Sequence, residues 1–302
     1  MDTCDSVRRA RPLLGTFVDI ACAGPVREET VSAIEAAFAA VAAVHRLMSF
    51  HDVASDVSRL NADAATSAVR VHSWTFQVLE AAIALHCQSA GTFDVAVAPI
   101  LQRRGLLPRQ TGEADADGEL ARSDAIELLP GNRVRFRHLG VRIDLGGIAK
   151  GFAVDRALDV LREHGQSQAV VNAGGDLAVF GPDPQTVHIR DPRAPCRLLC
   201  QVVVANAALA SSALSFNPLQ LAETSATAVI DPATRQPAVA VSGATVRAAS
   251  CMTADALTKI VMIAGEGASP LLLQYHASAL LILQSGEIRV TPEWHNAVTV
   301  AA

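Results

Sequence analysis

The sequence has little of what nucleic-acid-binding proteins, disulfide-rich proteins and histidine-built metal centres require. Its 302 residues carry a formal net charge of -5 and no long run of lysine or arginine, which argues against a nucleic-acid surface. The six cysteines are scattered without a Cys-x-x-Cys pair, so we expect buried free thiols rather than disulfides or a zinc site. The nine histidines form no His-x-x-x-His pair, which argues against a histidine-built metal centre.

Long apolar runs and an export signal are also missing. No apolar run reaches the length of a membrane span. The first eleven residues carry Asp2, Asp5 and three arginines without an apolar segment, which is not the pattern of a signal peptide. Cys4 lacks the upstream hydrophobic segment of a lipoprotein cysteine. As written, the sequence predicts a cytoplasmic protein with no membrane-spanning segment.

What is present favours a large core in an α+β fold. Half of the residues are hydrophobic, and predicted strands and helices are mixed without the regular alternation of a doubly wound sheet. Because neither repeats nor a Pro/Ser linker occur, we expect one compact domain over residues 11–302, preceded by a disordered tail over residues 1–10. The mixed or antiparallel sheets would pack against helices.

The stretch from Ile143 to Asp155 is the centre of the sequence. An apolar run predicts a strand over Val141–Leu145, and Gly146-Gly147 then leads into a helix. Lys150 lies in the first turn of that helix, where the helix dipole favours acids rather than bases. Two interpretations stay open: a site for a phosphate-bearing ligand at a helix N-terminus, or a strand–turn–helix corner with a solvated lysine.

Periodicity and turn residues predict the other main elements. They are a strand over Thr16–Cys22, a helix over Glu28–Met48, a short turn over Ser55–Leu60 and a helix from about Ser73, its N-cap. They also include a hairpin over Ala125–Phe136, a hairpin turning at Gly174-Gly175, a helix from Cys251 with Thr253 as N-cap, and a last pair of strands over Ala279–Val290.

Five segments, taken together and in order, resemble the ApbE family, the FAD:protein FMN transferases. The segments are Met48-Ser49-Phe50 with Ser58-Arg59-Leu60-Asn61, Gly91-Thr92-Phe93-Asp94, Asp144-Leu145-Gly146-Gly147-Ile148-Ala149-Lys150-Gly151, Val171-Asn172-Ala173-Gly174-Gly175-Asp176 and Ala254-Asp255-Ala256-Leu257-Thr258. The resemblance extends from about Arg11 to Ile282. The third and fourth segments are highly specific in combination.

The resemblance implies an enzyme with a T-fold-related domain that binds FAD as substrate together with Mg²⁺. Such an enzyme cleaves the pyrophosphate, releases AMP and attaches FMN to a threonine of an acceptor protein. Lys150 and Asp255 would be catalytic, and the Mg²⁺ ligands would be the Gly147 carbonyl, Asp255 and Thr258. The residues implied to contact FAD are Leu14, Phe50, Thr92, Phe93, Asp94, Asp144, Lys150, Asn172, Gly174, Gly175, Asp176 and Val229.

Several positions depart from the family pattern. Leu14 and Phe50 stand where the family usually has methionine and tyrosine, and Ala228 stands where it commonly has a histidine. Arg235 replaces a usual glycine. Lys259 stands at the position of the family's threonine metal ligand, so either a local helix shift lets Thr258 reach the metal or the Lys259 ammonium occupies part of the metal's place.

These departures keep other functions open. The chain could be an FAD-binding homologue with weakened or lost transfer, or an FAD pyrophosphatase that gives FMN and AMP. Plain structural roles are open as well: Asp255 as a first-turn acid paired with Lys259, Asp94 as a helix or turn cap, and Asp176 as a turn acid. Monomer and homodimer are both open, and family members often act as periplasmic lipoproteins, in contrast to the cytoplasmic location predicted above.

Overall fold

The computed structural model describes residues 6–108, 122–214 and 228–300. The predicted α+β class is confirmed, since helices are combined with sheets whose strand pairs in these ranges are all antiparallel. The internal contacts group into two compact units. Unit 1 comprises Met1–His45, Lys150–Glu223 and Val239–Ala302, and unit 2 comprises Arg46–Ala149 and Thr224–Ala238.

Unit 1 contains an eight-stranded antiparallel sheet with the order β1-β2-β6-β7-β10-β11-β12-β13 and a three-stranded sheet with the order β14-β9-β8. The strands are β1 Ser6–Leu13, β2 Thr16–Ala23, β6 Ala169–Ala173, β7 Asp176–Phe180, β8 Gln185–Asp191, β9 Ala194–Val204, β10 Ala207–Ala213, β11 Gly243–Ala248, β12 Ser278–Ile282, β13 Ile288–Val290 and β14 Val298–Val300. Inward side chains from both sheets, with Trp294, form a shared apolar core.

The helices of unit 1 are amphipathic or largely buried. They are α1 Glu28–Met48, whose last three residues belong to unit 2, α5 Ala149–Glu163, α6 Cys251–Ala264 and α7 Ser269–Gln274. In α1 the predicted apolar face is confirmed, since Ile34, Phe38 and Val41 are fully buried. Packing of such faces contributes most of the stability of helices of this length.

The described residues of unit 2 form helices and a small antiparallel sheet with the order β3-β5-β4. Its elements are α2 Asp56–Asp63, β3 Val69–Arg70, α3 Ser73–Gln88, α4 Ala98–Arg103, β4 Ile126–Leu129 and β5 Arg133–Phe136. The predicted hairpin is confirmed by β4 and β5. Ile230 packs with Ile100 and Leu101 in a satellite cluster of the same unit.

The predicted strand over Val141–Leu145 is wrong. Within the described part of the chain this segment belongs to no strand, and the side chain of Asn61 bonds the main chain of Ile143 instead. The Ile143 N–H donates to Asn61 Oδ1 at 2.8 Å, and Asn61 Nδ2 donates to the Ile143 carbonyl at 2.9 Å. The Asp144 N–H donates to the carbonyl of Val95 at 2.8 Å.

The first strand and the first short helix also differ from expectation. Residues 6–10, predicted to belong to a disordered tail, form part of β1 because their main chain pairs with β2 from Ser6 opposite Ala23 onward. Residues 1–5 lie outside the described residues, and the single-domain boundary stays a prediction. The predicted turn over 55–60 is helix α2, which Ser55 caps by accepting the Ser58 N–H at 3.0 Å.

Two predicted N-caps are each displaced, and the cysteine prediction is partly wrong. His72 rather than Ser73 caps α3, and Ser250 rather than Thr253 caps α6. The described cysteines are free, as predicted, but Cys87 and Cys196 are exposed rather than buried. Cys4 lies outside the described residues.

Two helical stretches, Glu28–Met48 and Cys251–Gln274, are long and apolar enough to cross a membrane by length and composition alone. About half of each is buried inside the protein, 44% and 50% of the respective apolar windows. The core helix of a globular unit meets the same criteria, so these stretches are weak indications of a membrane span.

Candidate functional site

Two tight hairpin turns of unit 1 lie side by side. The β1–β2 turn is Leu14-Gly15 and the β6–β7 turn is Gly174-Gly175, and all four residues have positive φ angles. A Cβ atom on Gly174 would lie 2.6 Å from Thr16 Oγ1, so only glycine allows this approach. These turns bring the predicted residues Leu14, Gly174 and Gly175 to the same end of the large sheet.

A groove with a volume of about 590 Å³ opens next to these turns in unit 1. Asn172, Gly174 and Gly175 line it, together with Ser212 from β10. Asn172 Oδ1 accepts the Gly175 N–H at 3.0 Å and thereby fixes the turn. Three of the residues implied to contact FAD therefore border one groove.

Helices α5 and α6 cap each other at their N-termini. Asp155 of α5 accepts the N–H groups of Cys251 and Met252 at 2.8 and 2.9 Å, and Asp255 Oδ2 of α6 accepts the Gly151 N–H at 3.1 Å. Side-chain oxygen acceptors are favourable at both places because helix N-termini expose unpaired N–H groups. This exchange brings the first turn of α5, and with it Lys150, next to Asp255.

Two lysines and two aspartates form a charged cluster in unit 1, which we define as Lys150, Asp176, Asp255 and Lys259. Lys150 Nζ contacts Asp176 Oδ2, and Lys259 Nζ lies 2.5 Å from Asp255 Oδ1. The aspartate side chains are 1% and 0% exposed, whereas those of Lys150 and Lys259 are 32% and 17% exposed. The formal charges cancel, which compensates for the burial of both carboxylates.

Burial and the neighbouring charges shift the pKa values of Lys150, Asp176 and Asp255. Burial by itself lowers the pKa of Lys150. The neighbouring Asp176 and Asp255 together raise this pKa by more than burial lowers it, so the lysine stays protonated. Burial raises the pKa of Asp255, but the two lysines outweigh this effect and hold it below its usual value. The pKa of Asp176 is raised by burial and by the charge of Asp255, against the opposing effect of Lys150.

Unit 2 contains the second group of predicted residues, around Asp94. Asp94 Oδ1 accepts the Ala96 N–H at 2.8 Å and the Ser123 hydroxyl at 2.6 Å, and its Oδ2 lies 3.3 Å from His86 Nδ1. Arg122 approaches the same oxygen at 3.6 Å. The buried carboxylate thus holds its own loop together, as the turn-cap alternative predicts.

Asp144 follows the clamped residue Ile143 and lies beside the loop of Asp94, because its N–H bonds to Val95. Burial raises the pKa of Asp144, against the opposing effects of the Gly146 N–H and of His51. Phe50, adjacent to His51, is buried, as is Phe93, and Thr92 is half-buried. Unit 2 therefore brings Asp144 close to the loop that carries Thr92 and Phe93.

The remaining predicted residues of unit 2 are less informative. Gly147 is half-buried in the turn that precedes α5, and the Val229 carbonyl accepts the Ala238 N–H at 2.9 Å. Ala228 is exposed and Arg235 has a φ angle of 62°, the left-handed conformation that favours the glycine expected there.

The family model of the "ApbE family" matches residues 14–282 of this chain. The chain belongs to the ApbE family. Relatives include the FAD:protein FMN transferase of Vibrio cholerae, 29% identical over 235 residues that cover 74% of this chain and 70% of that protein. The one from Rhodobacter capsulatus is 31% identical over 240 residues, 69% of this chain but 42% of that longer protein. The predicted family, a family of enzymes, is confirmed.

A solved ApbE structure confirms the fold. The crystal structure of the ApbE protein from Thermotoga maritima matches with a TM-score of 0.82 and 26% identity, over 97% of this chain and 99% of that chain. An ApbE fold with α+β architecture is thus shown over nearly the full length.

The Mg²⁺ site implied by the ApbE resemblance does not fit the donors around Asp255. Each Asp255 oxygen already accepts a hydrogen bond, Oδ1 from the Lys259 ammonium and Oδ2 from the Gly151 N–H, and the ammonium places a positive charge 2.5 Å from Oδ1, where it would repel a metal cation. The Thr258 hydroxyl donates to the Asp255 carbonyl at 2.7 Å and lies 3.1 Å from Lys259 Nζ. In α6 the Lys259 ammonium thus contacts both Asp255 and Thr258, the two side chains implied as metal ligands.

Three supporting residues of this ApbE chain were not assigned roles by the sequence. Asn61 belongs to one of the five segments that resemble the family, but its hydrogen bonds to Ile143 connect residues 82 positions apart. Asp155 ends the central stretch and caps α6, and Ser212 accepts a hydrogen bond from Lys259 at 3.0 Å. The two hydroxyl residues at the end of β10, Ser211 and Ser212, could have indicated a polar site there. No local pattern reveals the partners of Asn61 or Asp155.

Proposed function

We propose that this chain transfers FMN from FAD to a threonine side chain of an acceptor protein and releases AMP. The proposal is supported by its ApbE family membership and by the names of its relatives. The observation that carries it in the structure is the ammonium of Lys150, held protonated by two buried carboxylates yet 32% exposed at the start of α5. A fixed, partly exposed positive charge suits a pyrophosphate substrate.

In the proposed reaction the threonine oxygen attacks the phosphorus of the FMN half of FAD. A new bond forms between this oxygen and phosphorus, and the bond from that phosphorus to the bridging oxygen breaks. The bridging oxygen leaves with the electron pair as part of AMP, and the hydroxyl proton passes to solvent. Negative charge grows on the phosphoryl oxygens, so a preorganised cation such as Lys150 lowers the barrier.

We assign no step to Mg²⁺. The family resemblance implies magnesium dependence, but the Lys259 ammonium lies 2.5 Å from Asp255 Oδ1 and would repel a metal ion on this carboxylate. The role proposed for Asp255 is instead to hold Lys259 and the first turn of α5 in position and to raise the pKa of Lys150. Asp176 holds the Lys150 ammonium directly.

A second function, hydrolysis of FAD to FMN and AMP or simple FAD binding, is favoured by one observation. Ala228 offers no proton acceptor at the position where the family commonly has a histidine. The nearby Asp231 uses both carboxylate oxygens to cap its own turn, through Ala233 and Thr234. Ala228→His should raise transfer if this position limits the reaction, and an unchanged rate would argue against that limit.

A transfer assay tests the proposal. The full chain is incubated with FAD and a protein domain that carries a candidate acceptor threonine, with intact mass reporting FMN attachment and chromatography reporting AMP. We expect both products from the wild-type chain and loss of both in Lys150→Met. Arg27→Met is the matched control, because it removes one positive charge from an exposed position of unit 1 and should keep activity.

The outcomes separate the candidates. AMP without labelled acceptor would support hydrolysis over transfer. FAD binding with neither product would support the binding protein. Full labelling by Lys150→Met would contradict the role assigned to its ammonium.

A further inference from the structure

We infer that the ammonium of Lys259 is the resident cation of Asp255 and occupies the place on this carboxylate where a divalent metal ion would bind. The catalytic consequence rests on the proposed function, whereas the binding test below does not. The inference concerns this chain's own side chains and follows from their contacts.

The ammonium of Lys259 is fully engaged by the protein. A lysine ammonium has three N–H donors, and Lys259 Nζ has three acceptors: Asp255 Oδ1 at 2.5 Å, Ser212 Oγ at 3.0 Å and Thr258 Oγ1 at 3.1 Å. The acceptors come from α6 and from β10, and the side chain is only 17% exposed. A lysine held in this way fills a built site rather than extending into solvent.

Both oxygens of Asp255 already have a partner, so a metal ion on this carboxylate would have to lie close to the Lys259 ammonium. Its Oδ1 accepts from Lys259 and its Oδ2 accepts from the Gly151 N–H. A Mg²⁺ ion bound to Oδ1 at the usual distance of about 2.1 Å would lie at most ~4.6 Å from Lys259 Nζ. Two positive charges on the metal and one on the ammonium would then repel each other in a site that excludes most water.

The charge of the whole cluster argues in the same direction. Lys150 and Lys259 already balance Asp176 and Asp255, so a divalent ion would leave an excess of two positive charges. Asp176 Oδ1 is buried and has no hydrogen-bond partner among the described residues. The other oxygen of the same carboxylate contacts Lys150, whose positive charge balances the charge of Asp176. A metal ion could therefore bind only one oxygen of Asp176, and the charge of this group is already compensated.

The composition of the chain is consistent with a special role for these ammonium groups. Lys150 and Lys259 are the only lysines in the sequence, and every other strong cation is an arginine. Lysine is a compact point charge with three donors in a tetrahedral arrangement, whereas the donors of arginine lie in one plane and its charge is spread over the guanidinium group. The cluster thus uses the side chain that most resembles a small bound cation.

Binding of Mn²⁺, followed by electron paramagnetic resonance, tests the inference on the full chain without FAD. After removal of metal by a chelator, we expect the wild-type chain to bind Mn²⁺ at least tenfold more weakly than Lys259→Ala. Asp255→Asn combined with Lys259→Ala should lose the gained binding. Arg27→Met removes one positive charge from an exposed position that is far in sequence from the charged cluster, and this variant should bind Mn²⁺ as the wild type does.

Two results would overturn the inference. One is Mn²⁺ binding by the wild type as tight as in Lys259→Ala and abolished by Asp255→Asn. The other is a folded Lys259→Ala variant without any gain in Mn²⁺ binding. Thermal unfolding verifies folding, and Lys259→Ser, which keeps a hydroxyl for Ser212, replaces the alanine variant if that variant does not fold.

The catalytic consequence is measured separately. FAD cleavage by the wild type should persist in excess chelator, and cleavage by Lys259→Ala should depend on added Mg²⁺. If no variant cleaves FAD, the proposed function fails while the Mn²⁺ result still decides the inference. If wild-type cleavage stops in chelator and returns with Mg²⁺, and Mn²⁺ binds the wild type at Asp255, the inference fails while the function stands.

Discussion

An alanine at Gly151 should push apart the two helices that carry Lys150 and Asp255. A Cβ atom there would lie 2.2 Å from the carbonyl oxygen of Cys251, 2.5 Å from its carbonyl carbon and 2.8 Å from Met252 Cα. All three atoms are backbone, so no side chain can rotate away. A tolerable contact requires a shift of about 1 Å in the first turn of α6, and such overpacking costs roughly 3 kcal/mol.

The net effect is smaller because alanine favours the helix. Replacing a glycine in a helix interior by alanine contributes about 1 kcal/mol, which leaves a loss of about 2 kcal/mol for Gly151→Ala. For a chain of 302 residues the midpoint of thermal unfolding should fall by roughly 3 °C. The same shift lengthens the 3.1 Å hydrogen bond from the Gly151 N–H to Asp255, so FMN transfer should fall as well.

Thermal unfolding by circular dichroism measures the first effect, with Gly267→Ala as control. A Cβ on Gly267 would meet only the Ala264 Cβ at 3.9 Å, an ordinary contact, so this variant should change the unfolding free energy by less than about 0.5 kcal/mol. Equal unfolding midpoints for the two variants would refute the close helix contact on which the reasoning depends.

Two further predictions concern single polar side chains. Asn61→Ala leaves the buried N–H and carbonyl of Ile143 without partners, which should cost about 2–4 kcal/mol in urea unfolding, and a loss below about 1 kcal/mol would contradict the clamp. Burial raises the pKa of Asp155 from 3.8 to about 6, so its stabilising contribution is full below the unfolded pKa and is lost as pH rises through about 6. The stability of the wild type relative to Asp155→Asn should therefore fall between pH 4 and 7, by up to roughly 3 kcal/mol, and a flat difference in urea unfolding would contradict this.

Local patterns predicted the elements whose cause is local. The bounds of α1 agree with the prediction, since its apolar positions recur with helical spacing and its buried face follows from them. The β6–β7 hairpin follows from Gly174-Gly175, because two glycines tolerate the positive φ angles of a two-residue turn. The pair of Asp255 with Lys259 follows from their spacing of four residues on one helix.

Elements and contacts with distant causes could not be predicted in this way. An apolar run reads as a strand over residues 141–145, but whether it pairs depends on Asn61, a side chain 82 positions away. The contact of Lys150 with Asp176 joins a helix to a strand 26 positions on, and Ser212 reaches Lys259 across 47 positions. The family motifs singled out Lys150, Asp176 and Asp255, but their pairing is a property of the packed sheet and helices.

The lysine content of the chain makes the charged cluster chemically addressable. Reagents that modify primary amines can react with only two side chains, and both belong to the charged cluster. Apart from the α-amino group, reductive methylation with isotope-labelled formaldehyde can therefore reach only Lys150 and Lys259, and because the neutral amine is the reacting form, labelling requires that their ion pairs open. The extent of labelling would report how firmly the site holds its two ammonium groups, without any engineered label.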